Sequence, residues 1–372
     1  MESLWNSLAA SSVFAVFHWD ADGIASAAIL LKMLGERIVG FYPPKVGVYS
    51  LEALPWRRIS ESRASVLAVL DYGLPGTVYE DLSDIVAPRS VAVLDHHLVE
   101  PPGGGRRGVL HYVNPVAQGL GGEEDWPATS FLVYSIPGVG EACDARRCSW
   151  LAAVGIVGDL GPVIEARPRV YGTAARLTGK SGYSLRDIAK VVELIDSCYR
   201  LLDEECIVHA AQLLGWASGP RDVLDDNRLS RAAEEAAKAL RTAMDRVRYL
   251  FQRHGIIAYY VESDAYVTSY VGRKLAAMHS DSVVLLLHWA PGRKRGFVYA
   301  RSMRYQLTRV LRELRESGVP AGGKEHVLAF PVEEPDKGLL EKLADLVERH
   351  VYGKPSADGG SRGSEKERSM RL

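Results

Sequence analysis

Apolar residues in the first half of the chain come in short unbroken blocks. Val13-Phe14-Ala15-Val16 runs through Phe17 to His18, and Val66-Leu67-Ala68-Val69-Leu70 and Val91-Ala92-Val93-Leu94 are each bounded by turn-forming or polar residues. Blocks of this length predict strands buried on both faces of a parallel sheet. Ile38 to Tyr42, ended by Pro43-Pro44, and Val109 to Val113, ended by Asn114-Pro115, read as further strands. Helical spacing occupies Ile24 to Leu34, a crossover at Val78 to Ile85, a helix starting at Thr129-Ser130, and the apolar stretch Trp150 to Val157. Residues 1–12 read as a lead-in or short helix, and 45–63 as an irregular excursion. Strands alternating with helices predict a doubly wound, mainly parallel α/β sheet.

The pattern then changes twice. Residues 184–254 are strongly helical, and Arg231 to Arg253 predicts one long amphipathic helix with its arginines on a solvated face. From Gly255 short β runs return at Ile256 to Val261, Val283 to His288 and Gly296 to Ala300, separated by helical stretches at Ser269 to Met278 and Leu307 to Arg315. The expected organisation is an α/β domain at 1–183, a helical linker at 184–254 and a smaller α/β domain at 255–352. Residues 353–372, rich in glycine, serine and charge, are expected to be a disordered tail.

Composition narrows this picture. A chain of 372 residues suits two domains, and 47% hydrophobic residues are enough for sizeable cores. The net charge of −1 exerts no global pull on nucleic acid, so any such contact needs a local basic patch. No apolar stretch approaches a membrane span and no basic region precedes the first apolar run, which points to a cytoplasmic protein. Cys143, Cys148, Cys198 and Cys206 lack zinc-ligand spacing; a Cys143–Cys148 disulfide is compatible with the sequence, but reduced cysteines are the expectation. Scarce Asn and Gln beside plentiful Arg, Glu, Tyr and Pro suggest heat adaptation.

Candidate chemistry sits where the apolar blocks end. The first block leads into Phe17-His18-Trp19-Asp20-Ala21-Asp22-Gly23, the second into Asp71-Tyr72-Gly73, the third into Asp95-His96-His97, and the Trp150 helix into Gly158-Asp159. Strand ends that turn into helices are where open α/β sheets present ligands. In an extended segment His18, Asp20 and Asp22 point the same way. Clustered carboxylates repel one another unless a cation holds them. One such end could be a capped turn, but four with the same chemistry argue for a metal site.

These four motifs, in this order, resemble motifs I to IV of the DHH phosphoesterase superfamily, which includes RecJ-type exonucleases, nanoRNase-type oligoribonucleases, cyclic-dinucleotide phosphodiesterases and family II pyrophosphatases. The resemblance implies a two-metal phosphodiesterase. His18 and Asp20 would hold one ion, Asp22, His96 and Asp159 the other, and Asp71 would bridge them. Asp95 would orient the imidazole next to it, and His97 would face the phosphate or donate to the leaving oxygen. Mixed imidazole and carboxylate ligands favour two Mn²⁺ ions, with Mg²⁺ or Co²⁺ as substitutes.

The second half resembles the DHHA1 domain, through Ser302-Met303-Arg304 and the glycine-containing Ala321-Gly322-Gly323-Lys324-Glu325-His326. Glycines admit a phosphate to backbone N–H groups, and arginine grips it bidentately. Arg304, Gly322, Gly323, Lys324 and His326 would therefore bind substrate. The sequence departs from the family by placing Lys324 where a histidine is usual, and either Lys324 or His326 would meet the phosphate. The activity implied is hydrolysis of single-stranded DNA or short RNA from an end. The alternatives are a weakly catalytic or non-catalytic replication component like the archaeal Cdc45/RecJ-like proteins, with replication proteins as partners, and a phosphoesterase for small nucleotides such as cyclic dinucleotides or 3′-phosphoadenosine 5′-phosphate.

Overall fold

In the computed structural model, which describes residues 2–104, 108–139, 143 and 145–353, the apolar blocks form the strands β1 (Val13–Phe17), β3 (Val66–Leu70) and β4 (Ser90–Leu94). β2 (Ile38–Tyr42) and β5 (Leu110–Val113) complete an all-parallel sheet of order β2-β1-β3-β4-β5. Every residue of β1 and β3 is buried, whereas the edge strands β2 and β5 are largely half-buried. Only strands covered on both faces need unbroken apolar sequence. The fold is thus α/β, as the alternation predicts. Among the described residues, no helix is long and apolar enough to cross a membrane.

The chain divides into two compact units, residues 1–46 with 50–236, and 47–49 with 237–372. The first contains the parallel sheet and the helices Ala21–Leu34, Ala145–Leu160, Leu185–Arg200 and Glu204–Trp216. The stretch expected to link two domains is therefore divided, with its part up to Ala236 belonging to the first unit. The reason is burial: Ile188, Val191 and Ile195 on one helix, and Ile207, Ala210 and Leu214 on the next, have no exposed surface. Burial of a large aliphatic side chain is worth roughly 1.5–3 kcal/mol, so such faces are not left as a spacer.

The second unit holds a six-stranded sheet of order β10-β11-β9-β8-β7-β6, with β6 Arg248–Arg253, β7 Ile256–Glu262, β8 Val283–Ala290, β9 Arg295–Ser302, β10 Gly322–Lys324 and β11 Val327–Val332. β7 and β8 pair in parallel, and the other neighbours are antiparallel. The helix expected over Arg231 to Arg253 is corrected here: it covers Asn227–Asp245, and Arg248–Arg253 is a strand. His254 (φ 44°) and Gly255 (φ 78°) make a two-residue hairpin turn that returns the chain as β7. Tyr249, Leu250 and Phe251 suit a pleated ladder better than the arginine-rich composition suggests.

The cysteines are also corrected. Cys143 pairs with Cys148 and Cys198 with Cys206, with Cα atoms 5.8 and 5.2 Å apart. Cys198 lies in the last turn of one helix and Cys206 in the first turn of the next, a proximity that spacing alone conceals. Arg106 and Arg107, and residues 354–372 of the expected tail, lie outside the described residues.

Candidate metal centre

The sheet ladder extends one residue past three strands and thereby fixes three polar residues. His18 N–H donates to the Leu70 carbonyl (3.0 Å), Asp71 N–H to Leu94 (2.9 Å), and Asp95 N–H to Val113 (3.0 Å). Asp71 then adopts a left-handed backbone (φ 60°), a conformation that an aspartate tolerates better than a branched residue. After His18, the chain turns tightly into the Ala21–Leu34 helix, with Asp20 as N-cap accepting from Gly23 N–H at 3.3 Å. A Cβ on Gly23 would lie 2.2 Å from the His18 carbonyl oxygen, so only glycine fits this turn.

The structure brings together all six residues expected to hold metal. Among the described residues, the donor clusters within 4.8 Å are His18-Asp20-Asp71, Asp22-His96-Asp159 and Asp71-His96-His97. His18 Nδ1 lies 2.9 Å from Asp20 Oδ1 and 4.0 Å from Asp71 Oδ2. His96 Nε2 lies 3.0 Å from Asp159 Oδ2, 3.8 Å from Asp22 Oδ2 and 3.6 Å from Asp71 Oδ1. One oxygen of Asp71 thus faces His18 while the other faces His96. Asp159 comes from the last turn of the Ala145–Leu160 helix, which runs three residues past its expected apolar end at Val157.

Electrostatics show why this donor set suits divalent cations. Burial, then the negative charges of Asp22, Asp20, Asp159 and Asp95, push the Asp71 carboxyl well above its ordinary pKa. Burial and Asp159 likewise raise Asp22. For Asp20, burial works upward, but the adjacent His18 outweighs it and lowers the pKa. Several carboxylates this close share a buried site as anions only when positive charge compensates them. The interleaved imidazole nitrogens and carboxylate oxygens fit that requirement.

Asp95 has a different task. Its Oδ1 accepts from His96 N–H (2.7 Å), His97 N–H (3.0 Å) and His97 Nδ1 (2.7 Å), and its Oδ2 from Gly73 N–H (2.7 Å). Burial would raise its pKa, but His97 and these donors bring it down to about 2. The imidazole that Asp95 orients is therefore that of His97. The His96 ring is held through Nδ1 by the Trp126 carbonyl at 3.1 Å. Asn114, buried, donates to the His97 carbonyl at 2.9 Å.

Several contributors escaped the sequence reading. Thr129 Oγ1 donates to Asp71 Oδ1 (2.9 Å), while the backbone N–H groups of Thr129 and Ser130 hold both oxygens of Asp22 (2.6 and 2.9 Å). Gly155 lets its helix pass this site, since a Cβ there would lie 2.0 Å from Ser130 Oγ and 2.1 Å from Asp22 Oδ1. Gly155 and Gly158, one turn apart in an otherwise apolar helix, are the sequence signal of that close approach.

In the second unit the expected substrate residues lie around the end of β9 and on β10, with Ser302 N–H donating to the His326 carbonyl at 3.1 Å. Arg304 lies beyond the end of β9, with its side chain 65% exposed and Nη1 3.3 Å from Asp281. His326 Nδ1 is hydrogen-bonded to the Tyr305 carbonyl at 2.9 Å. Gly322, Gly323 and Lys324 form β10, where Lys324 stands opposite Val327, and Val327 opposite Arg301. Directly opposed residues share a sheet face. The arginine that shares a face with Lys324 is thus Arg301, and its Nη1 reaches Tyr299 Oη at 3.4 Å.

A parallel sheet with donors at its strand ends, followed by a second mixed sheet, is a fold that solved structures of DHH-domain and RecJ proteins share. The chain aligns with a DHH domain described as a member of the S1p family of ribosomal proteins, over 93% of this chain and 88% of that one, at TM-score 0.59 and 17% identity. It aligns with an exonuclease RecJ bound to manganese over 95% of both chains, at TM-score 0.58 and 19% identity. With RecJ from Thermus thermophilus in complex with Mn²⁺ the TM-score is 0.62 at 18% identity, covering 95% of this chain and 54% of that one. The chain spans about half the length of the Thermus protein. No protein-family model and no curated protein matches the sequence.

Proposed function

We propose that this protein is a metal-dependent phosphoesterase that hydrolyses single-stranded DNA or short RNA from an end. The observation that carries the reading is the placement of Asp71, one oxygen toward His18 and the other toward His96, between two imidazole–carboxylate clusters. His18 and Asp20 would hold one divalent cation, Asp22, His96 and Asp159 a second, and Asp71 both. Two such ions supply charge neutralisation at phosphorus and a water acidified to near neutrality. The donor mix favours Mn²⁺, the ion named with two of the RecJ structures of similar fold.

The chain's own groups supply the rest. Asp95, anionic and fully satisfied, fixes the His97 ring through Nδ1 and leaves Nε2 to meet the phosphoryl group or the leaving oxygen. Thr129 and the N–H groups of Thr129 and Ser130 keep Asp71 and Asp22 from turning toward one another. In the second unit, Arg301 and Lys324 on one sheet face, with the Gly322-Gly323 backbone, would bind a substrate phosphate.

The test is hydrolysis of end-labelled single strands, DNA and RNA, from dinucleotides to oligomers of a few tens of residues, in Mn²⁺, with Asp71→Ala alongside. The expected result is a ladder or mononucleotides from the wild type and none from the variant. Intact strands of both kinds throughout would overturn the exonuclease reading and turn attention to dinucleotide second messengers.

A further inference from the structure

The Leu185–Arg200 helix brings one more carboxylate to the loop of the centre without adding it to any donor cluster. Asp196 is 7% exposed. Its Oδ1 accepts the backbone N–H of Ala21 at 3.0 Å, and its Oδ2 accepts from Arg200 Nη2, one turn on, at 3.3 Å.

Ala21 is the first residue of the Ala21–Leu34 helix, so its N–H has no partner within that helix. The peptide that carries this N–H joins Asp20 to Ala21. Holding it sets the direction in which Asp20 leaves the chain and, one residue later, that of Asp22. Asp20 and Asp22 belong to different donor clusters, so a single hydrogen bond controls the chain between them. Asp20 also caps Gly23 N–H within the same turn, but that bond moves with the loop and cannot anchor it. Asp196 stands 175 residues away on a helix whose apolar face is buried, and is therefore an external fixed point.

We propose that Asp196 is a positioning residue that sets the separation of the two metal-holding carboxylates Asp20 and Asp22 through Ala21 N–H, with Arg200 fixing its second oxygen. The inference rests on the metal reading above. It differs from simple docking of one helix on another, for which any side chain of the right volume would serve. It also differs from a ligand role, since Asp196 shares no cluster with the imidazoles.

The experiment is a Mn²⁺ titration of full-length wild type, Asp196→Ala and Asp196→Asn, followed by the electron paramagnetic resonance of the free ion. The melting temperature of each metal-free protein is recorded alongside. The asparagine variant keeps the volume but has one oxygen for two donors. Loss of a residue that orients metal ligands costs roughly 10- to 100-fold in metal affinity. The expected result is a half-saturating Mn²⁺ concentration raised at least tenfold in Asp196→Ala and by a smaller factor in Asp196→Asn. Hydrolysis by both variants should recover toward the wild-type rate at high Mn²⁺. If both variants bind Mn²⁺ within twofold of wild type while melting lower, Asp196 only docks its helix and the proposal is wrong. If Asp196→Ala fails to fold, Asp196→Asn decides alone by the same criterion. A wild type that binds no Mn²⁺ would overturn the metal reading itself, an outcome distinct from normal wild-type binding with indifferent variants.

Discussion

The two units present their polar residues in opposite ways. In the first, polar side chains stand at the ends of parallel strands, with His18, Asp22, Asp71, Asp95 and His96 all buried. Backbone ladders fix them from below and N–H or hydroxyl donors from the side. In the second, Arg301, Arg304, Lys324 and His326 lie on or just beyond antiparallel strands, and Arg304, Lys324 and His326 keep much of their surface in water. A buried anionic cluster holds its geometry through many partners and fails when one is removed. An exposed cationic patch tolerates loss of a member and changes affinity rather than chemistry. The first unit should therefore yield all-or-none variants, and the second graded ones.

The largest effect expected is that of Asp71→Asn. It keeps the volume and the Thr129 bond but removes the charge shared by two clusters. Hydrolysis should fall by roughly 10³-fold or more, about 4 kcal/mol of barrier, with the melting temperature unchanged or raised as like-charge repulsion is relieved. A variant within tenfold of wild type would show that the clusters do not act together.

Gly155→Ala tests the same rigidity by steric means. Its Cβ would need the space of Ser130 Oγ and Asp22 Oδ1, both buried. Overpacking of this kind costs about 1–3 kcal/mol, and here the group displaced is a metal-holding candidate. We expect lower thermal stability together with a higher Mn²⁺ requirement. A drop in stability alone would mean that Ser130 moves and Asp22 does not.

The first unit was largely legible in the sequence, for a physical reason. Central parallel strands must be apolar without interruption, so the first polar residue after Val16, Leu70 or Leu94 stands out as a strand end. Asp159 was legible because it interrupts an apolar helix next to a glycine. What the sequence hid were groups whose role depends on position alone. Thr129 and Ser130 act partly through backbone N–H, and Asp196 looks like any polar residue of an amphipathic helix. Arg301 was hidden for another reason. Which side of β9 faces Lys324 is set by register across β11, and no local pattern encodes that. Arg248–Arg253 read as helix because its arginines and its place after an alanine-rich segment outweighed the β-prone Tyr249 and Phe251.

The second unit also has a buried polar point, and it behaves like the first unit in miniature. His288 is fully buried, with Thr268 Oγ1 at 2.8 Å from Nδ1 and the Ser263 carbonyl at 2.9 Å from Nε2. Burial lowers its pKa from 6.5 to about 4. Between these values the unfolded chain takes up a proton that the folded one refuses, so stability falls as pH drops from about 6.5 to about 4 and levels off below. The loss attributable to this group is roughly 3 kcal/mol. It should appear as a narrowing gap in denaturant stability between wild type and His288→Gln on acidification. A constant gap from pH 7 to pH 4 would show that His288 is solvated.

The smallest effects, and the sharpest contrast, concern the two arginines near the end of β9. Arg301 shares a sheet face with Lys324, so Arg301→Ala should raise KM for a single strand by roughly 10- to 100-fold while leaving kcat within a few-fold, the loss of one or two charge-assisted contacts. Arg304 pairs with Asp281, whose side chain is 83% exposed, and such a pair is screened by water and salt. Arg304→Ala should therefore change both KM and stability by less than about 0.5 kcal/mol. Steady-state kinetics of the two variants on one labelled strand, at low and moderate salt, make the comparison direct. If Arg304→Ala raises KM and Arg301→Ala does not, the phosphate is read beyond the strand end, and the face shared by Arg301 and Lys324 has another use. If both raise it equally, the patch acts as a diffuse field, and the salt dependence of KM should then be the same for each variant.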